Sequence, residues 1–423
     1  MSEVKLGRVA PIYKGEYNET TQYHELDIVY YNGSSYMAKQ DTKGNTLPTG
    51  TENDYWGLVV DKGPQGPKGD NGDIGAQGKQ GSMGPEGPQG ETGKKGDRGT
   101  SYDYHEPLKY KMISNTVADY LDGHEIPDSF FTRCSEIGAT VSLVVMVPVE
   151  NNGVNKLPYD YPIDTAEKYI KRALDFGTRV DVLKPHIGYT DVFDRFNYNP
   201  TDYVGFFNNW KSYLVKLAKL CDKYNIKFLS IGCEQYKQSG IEYLEYWKDI
   251  INAIKEVSQV SVTYAFSKTE FQDKNHRVIM PYLDVLGVNI YPRLTDRKYS
   301  DSLPILTDGW KFDPLSNFSF EDALYELSSE YNKDVLITEV GASPYIHAIN
   351  ESYAGRNPLP DEVSYDALAL YIKSIYYNAS VNGRIIGIAW WHGEESGPFS
   401  FFKYSTDEIT MSEQAMRDAI KEY

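Results

Sequence analysis

Between residues 100 and 423, short apolar runs alternate with stretches whose apolar positions recur at helical spacing. Eight runs read as strands: "KYKMIS", "TVSLVVMVPVE", "RVDVLKPHIG", "IKFLSIGCE", "QVSVTYAFS", "LDVLGVNIYP", "DVLITEVGA" and "IIGIAWWHG". Between them lie amphipathic segments such as "TAEKYIKRALDFG", "GFFNNWKSYLVKLAKLCDKYN" and "DALALYIKSIYYNASVNG". Several of these end at Gly177, Asn225, Asn332 and Gly383, residues that tolerate the left-handed backbone that stops a helix. Strands that are apolar on both faces and separated by helices pair in parallel under two covering layers. Eight such units predict a (β/α)8 barrel of the TIM type. A doubly wound open sheet is the alternative, but no Gly-X-Gly-X-X-Gly follows the first strand and no Gly-X-Ser-X-Gly elbow occurs.

Residues 1–62 follow a different pattern, with short aromatic strands broken by turns, as in "APIYKGEY", "LDIVYYNGSSYMAKQ" and "NDYWGLVV". Asn32-Gly33 between two such runs predicts a tight hairpin, because Asn-Gly favours the turn whose twist matches paired strands. The expectation is a small all-β module.

Between these parts, glycine falls at every third position from Gly63 to Gly99, which makes twelve uninterrupted Gly-X-Y triplets. Three polyproline-like chains leave room for only a hydrogen at their common axis, so this period specifies a collagen-like triple helix over residues 63–99. Five basic side chains (Lys68, Lys79, Lys94, Lys95, Arg98) balance five acidic ones (Asp70, Asp73, Glu86, Glu91, Asp97), which suggests ion pairs between staggered chains. At about 3.1 Å per residue the tract would form a rod on the order of 100 Å long, and the chain a homotrimer.

The whole chain carries a formal charge of −17, which argues against nucleic acid and anionic membranes as partners, since both select basic surfaces. No apolar run approaches the roughly 20 residues of a membrane span. The opening "MSEVKLGRVAPIYKG" lacks the apolar core of a signal peptide, so synthesis in the cytoplasm is expected. Three scattered cysteines, Cys134, Cys221 and Cys233, fit neither a disulfide framework nor a zinc knuckle and read as buried thiols.

Barrel enzymes carry their chemistry where strands end and loops begin. The polar and aromatic residues at those ends are His186, Glu234, Tyr264 with Phe266, Asn289, Tyr291, Glu339, Trp390, Trp391 and His392. Glu234 and Glu339 close otherwise apolar strands, a costly placement unless the carboxylate is solvated or paired. Each taken alone is equally a satisfied strand-end residue; their joint placement on the fourth and seventh strands points to a paired-carboxylate site.

That placement resembles the large barrel clan of retaining glycoside hydrolases, and "KPHIG", "SIGCEQ", "LGVNIYPR", "LITEVGAS" and "GIAWWHG" resemble family 113 mannanases in particular. The resemblance implies Glu234 as general acid/base, Glu339 as nucleophile and Tyr291 as a hydrogen-bond donor to Glu339. It further implies His186 on a sugar hydroxyl and Trp391, or else Trp390, under the cleaved sugar, with no metal or cofactor. Tyr264, Asn289 and His392 complete the substrate-binding candidates. Many relatives in the clan place Asn before the acid/base, whereas Cys233 stands here, which fits the family 113 branch and leaves the sugar 2-hydroxyl contact unassigned.

The amino-terminal pattern resembles carbohydrate-binding modules of families 5 and 12, which implies Tyr17, Tyr23, Tyr36, Tyr55 and Trp56 as stacking candidates. An aromatic core in a virion-docking domain is the competing reading. Module, rod and barrel together resemble a bacteriophage tail-tip or receptor-binding protein. This implies a virion location, host cell-wall or capsular polysaccharide as substrate, and other tail or baseplate proteins as partners. The alternatives are a non-catalytic receptor-binding protein that uses the barrel as a lectin, and a collagen-like structural surface protein.

Overall fold

The computed structural model describes residues 11–48, 51–60, 106–123, 125–149, 160–189, 195–295, 309–311, 313, 318–346, 349, 363–395 and 399–423. The collagen-like tract lies outside the described residues. The chain divides into two compact units, Met1–Lys95 and Gly96–Tyr423.

In the first unit, β1 (Ile12–Glu16), β2 (Asp27–Tyr31), β3 (Ser34–Ala38) and β4 (Trp56–Val60) form one sheet in that order. β1 pairs with β2 in parallel, and the β2–β3 and β3–β4 pairs are antiparallel. Asn32 and Gly33 turn the β2–β3 hairpin with φ of 53° and 91°, as the two-residue turn requires. Tyr23, Val29, Ala38 and Trp56 are the core, with Tyr17, Tyr36, Leu47 and Tyr55 packed against it.

The second unit is a closed barrel of eight parallel strands: β5 (Tyr110–Val117), β6 (Thr140–Val149), β7 (Val180–Tyr189), β8 (Phe228–Cys233), β9 (Ser261–Phe266), β10 (Leu286–Asn289), β11 (Val335–Val340) and β12 (Ile385–Trp390). Each coincides with one of the eight apolar runs read from the sequence, although β5 runs on to Val117 and β7 to Tyr189. Asn225, Asn332 and Gly383 end their helices with left-handed backbone, and Gly177 adopts φ of 78° just past another. No helix among the described residues is long and apolar enough to cross a membrane.

The inward side chains change character along the barrel axis. Met112, Val182, Phe228, Leu336 and Ala389 pack into an apolar plug near the start of the strands. Two residues further along β7, the strand period puts Lys184 on the same face as Val182, and His186 follows two residues later; both are buried. The plug closes one end, and the polar groups gather at the other.

Candidate active site

The described residues bring Glu234 and Glu339 to a common partner. Asn289, ending β10, donates from its Nδ2 to Glu234 Oε1 at 3.0 Å and to Glu339 Oε2 at 3.1 Å. Thr338 Oγ1 donates to Asn289 Oδ1 at 2.8 Å, which fixes the amide so that its nitrogen faces the carboxylates. Two oxygens that hold one nitrogen at these distances are no more than about 6 Å apart. That puts both carboxyls within reach of one glycosidic bond.

Strict alternation would send Thr338 and Glu339 to opposite faces, yet both reach Asn289. The register of β11 shifts against β10 between Val288 and Asn289, and against β12 between Ile337 and Val340. Such irregularities re-aim side chains next to active sites. Glu234 is turned by its own backbone, at φ of 51°, a left-handed conformation that costs a non-glycine residue about 1–2 kcal/mol. Gly341 gives the chain room after β11, since a Cβ there would lie 1.8 Å from the Trp391 carbonyl oxygen.

Two cations flank the pair. Lys184, fully buried, donates to Glu339 Oε2 at 2.8 Å and to the Thr338 carbonyl at 2.9 Å. Arg195, in the loop after β7, pairs through Nη2 with Glu234 Oε2 at 2.7 Å. Tyr291 donates its hydroxyl to Glu339 Oε1 at 2.6 Å. Burial pushes the Glu339 carboxyl up, but Lys184, Arg195 and the hydrogen bonds from Lys184 and Tyr291 outweigh it and hold the group below its ordinary value. Burial likewise opposes the charge of Arg195, and Cys233, Glu234 and Glu339 more than offset it. His186 goes the other way: burial, then Arg195, Lys184 and His392, keep its imidazole neutral.

Trp391 is half-buried, with the His186 ring stacked 6.2 Å away and Lys184 Nζ 5.3 Å from its centroid. It therefore borders the residues around the carboxylate pair. Trp390 does not: the preceding residue, which ends β12, points to the outer side, where it packs in the core against Tyr371 and Phe401. Tyr264 is also displaced from the substrate-binding set. It is fully buried, donates to Glu270 Oε1 and accepts from the Gln235 backbone at 2.8 Å each, which steadies the turn after Glu234. His392 is tied inward at both nitrogens, to Thr116 Oγ1 at 2.8 Å and from the Glu394 backbone at 3.2 Å, and burial pushes it down to about 3.

In the amino-terminal module, Tyr23 and Trp56 are buried, so neither offers a ring face to a sugar. The Trp56 indole N–H and the Tyr17 hydroxyl both donate to the Asn45 carbonyl. Tyr17, Tyr36 and Tyr55 are half-buried against the same core, while the exposed aromatics are Tyr13, Tyr30 and Tyr31.

Lys184, Arg195 and Thr338 were not among the residues singled out from the sequence. Lys184 carries a readable signal, a lysine inside the apolar run "VDVLKPHIG". Arg195 carries none, being one of several charges in a long loop. One ligand atom each from His186, Cys233 and Glu339 fall within 4.8 Å of one another. Lys184 and Arg195 already neutralise this cluster, so its electrostatics disfavour a further cation.

A parallel eight-stranded barrel with two carboxylates at the ends of its fourth and seventh strands, one hydrogen bond from a shared amide, is the architecture of a glycoside hydrolase. The chain belongs to Glycoside Hydrolase Family 113, whose family model matches residues 134–398. A collagen triple helix repeat model matches residues 57–102. A family 113 β-1,4-mannanase structure is similar with a TM-score of 0.56 and 14% identity over 75% of this chain and 100% of that one. The family 113 β-mannanase of Alicyclobacillus acidocaldarius gives 0.56 and 14% over 76% and 99%. The Ruminococcus gnavus β-glucuronidase gives 0.51 and 13% over 74% of this chain and 50% of that one. No curated protein matches the chain.

Proposed function

We propose that the barrel is a retaining hydrolase of cell-surface polysaccharide, carried on a phage virion as a collagen-linked trimer. The observation that carries the catalytic part is the Asn289 amide joined to both carboxylates. Glu339, held ionised by Lys184 and oriented by Tyr291, attacks the anomeric carbon while Glu234 protonates the leaving glycosidic oxygen. The glycosyl ester on Glu339 is then cleaved by a water that Glu234, now a base, deprotonates. Trp391 forms the floor of the cleaved sugar, and His186 presents a buried Nε2 with no protein partner toward its hydroxyls. Neither step calls on a metal or cofactor.

The mannanases among the similar structures make β-1,4-mannan the first polymer to try, beside wall polysaccharide from Gram-positive hosts. Wild-type protein should release reducing ends, and Glu339→Gln and Glu234→Gln should lower kcat by several orders of magnitude. Unchanged release by both variants would assign the activity elsewhere, and binding without release from any polymer would favour the lectin reading. Sedimentation tests the assembly: the triplet repeat predicts a trimer, and a monomeric intact chain would remove the collagen reading.

A further inference from the structure

The balance of charge at the site shifts when the reaction begins. Lys184 stays with Glu339, which attacks as an anion. Arg195 is paired with Glu234 at 2.7 Å, its side chain is 12% exposed, and its Nε is buried without a partner. To act as the acid, Glu234 must carry a proton, and a neutral carboxylic acid no longer balances a guanidinium taken out of water. A buried charge that loses its partner is strongly destabilised. The groups beside Arg195 that favour its charge are Cys233, Glu234 and Glu339. Burial pushes the Cys233 thiol up to about 12, so it is neutral, and Glu339 is already held by Lys184. The protein therefore supplies no further anion to balance Arg195 once Glu234 is neutral.

We propose that the glycan carries an oxyanion substituent, a carboxylate or a phosphate, that takes Arg195 from Glu234 and so frees that carboxyl to hold the proton it donates. The inference rests on the hydrolase reading of this site and adds the substrate class, an anionic polysaccharide. The proton comes from solvent, and no bond forms or breaks beyond those of the hydrolysis. The chain's charge of −17 does not oppose this, because salt screens surface charges beyond about 8 Å while Arg195 acts at contact.

Glu234→Gln is an isostere of the neutral acid and releases Arg195, so it should bind the right anion better than the wild type does. Calorimetric titration with a neutral β-1,4-manno-oligosaccharide, an oligouronate and a glycerol-phosphate-linked glycan reads this directly. One of the two anionic ligands should bind Glu234→Gln about tenfold tighter than wild type, with no comparable gain for the neutral one. Adding Arg195→Gln should abolish the gain, and adding Arg195→Lys should keep part of it, which preserves the test should the glutamine variant fold poorly. Which anion gains tells carboxylate from phosphate. Equal binding by wild type and Glu234→Gln, or a gain that survives Arg195→Gln, would overturn the proposal. Because binding is read without turnover, a gain on a glycan the wild type never cleaves would contradict only the hydrolase reading. Cleavage of neutral mannan with no gain on either anion would contradict only the charge proposal.

Discussion

In the barrel, Lys184, His186, Asn289 and Glu339 are polar groups on strands otherwise rich in Val, Ile and Leu, and they meet around one pair of carboxylates. In the amino-terminal module, Tyr23 and Trp56 were two of five candidate stacking rings, and both are buried in its core. The difference lies in what burial costs. A charged group inside an apolar strand is expensive to keep unless a partner or a reaction uses it, so its presence points to chemistry. A large ring in a module with few apolar residues is the cheapest way to build a core, so its presence points to packing. The rings available to a ligand there are the exposed Tyr13, Tyr30 and Tyr31.

Trp56→Ala probes the packing half of this contrast. It should destabilise the amino-terminal module by about 3–5 kcal/mol, most of the stability of so small a unit, while the barrel's melting transition and turnover on a soluble oligosaccharide stay unchanged. Calorimetry of the intact chain would separate the two transitions. A stable module lacking this ring would mean that the core lies elsewhere.

Glu270 sharpens the other half, because it is a buried carboxyl outside the catalytic pair. Burial raises it to about 7, against hydrogen bonds from Ser267 and Tyr264. The folded state therefore holds a proton that the unfolded chain has released. The stability this contributes is fully present below the unfolded value of 4.5 and is lost as pH rises through about 7. The loss is on the order of 3 kcal/mol. Denaturant unfolding across that window should show a smaller decline in Glu270→Gln than in wild type. Parallel curves for the two would assign the titration to another group.

The eight strands and several helix stops were legible because strand apolarity and left-handed caps are local properties. Glu234, Glu339 and Tyr291 were legible for a related reason, being polar residues at strand ends. Tyr264 and His392 carry the same signal but bind inward, to Glu270 and Thr116, and only three-dimensional neighbours distinguish the two outcomes. Trp390 and Trp391 are adjacent, so composition could not assign them to the two faces of β12. Arg195 was hidden because its role depends on a loop returning to β8, a long-range contact with no sequence period. Thr338 was hidden because register shifts carry it and Glu339 to the same side.

The anomeric configuration of the first-formed product tests the paired-carboxylate mechanism most directly. Proton NMR during hydrolysis of a β-linked glycan that the wild type cleaves should show the β-anomer first, followed by slow mutarotation, as two displacements through Glu339 require. Initial appearance of the α-anomer would mean a single displacement by water, and would contradict a nucleophilic Glu339.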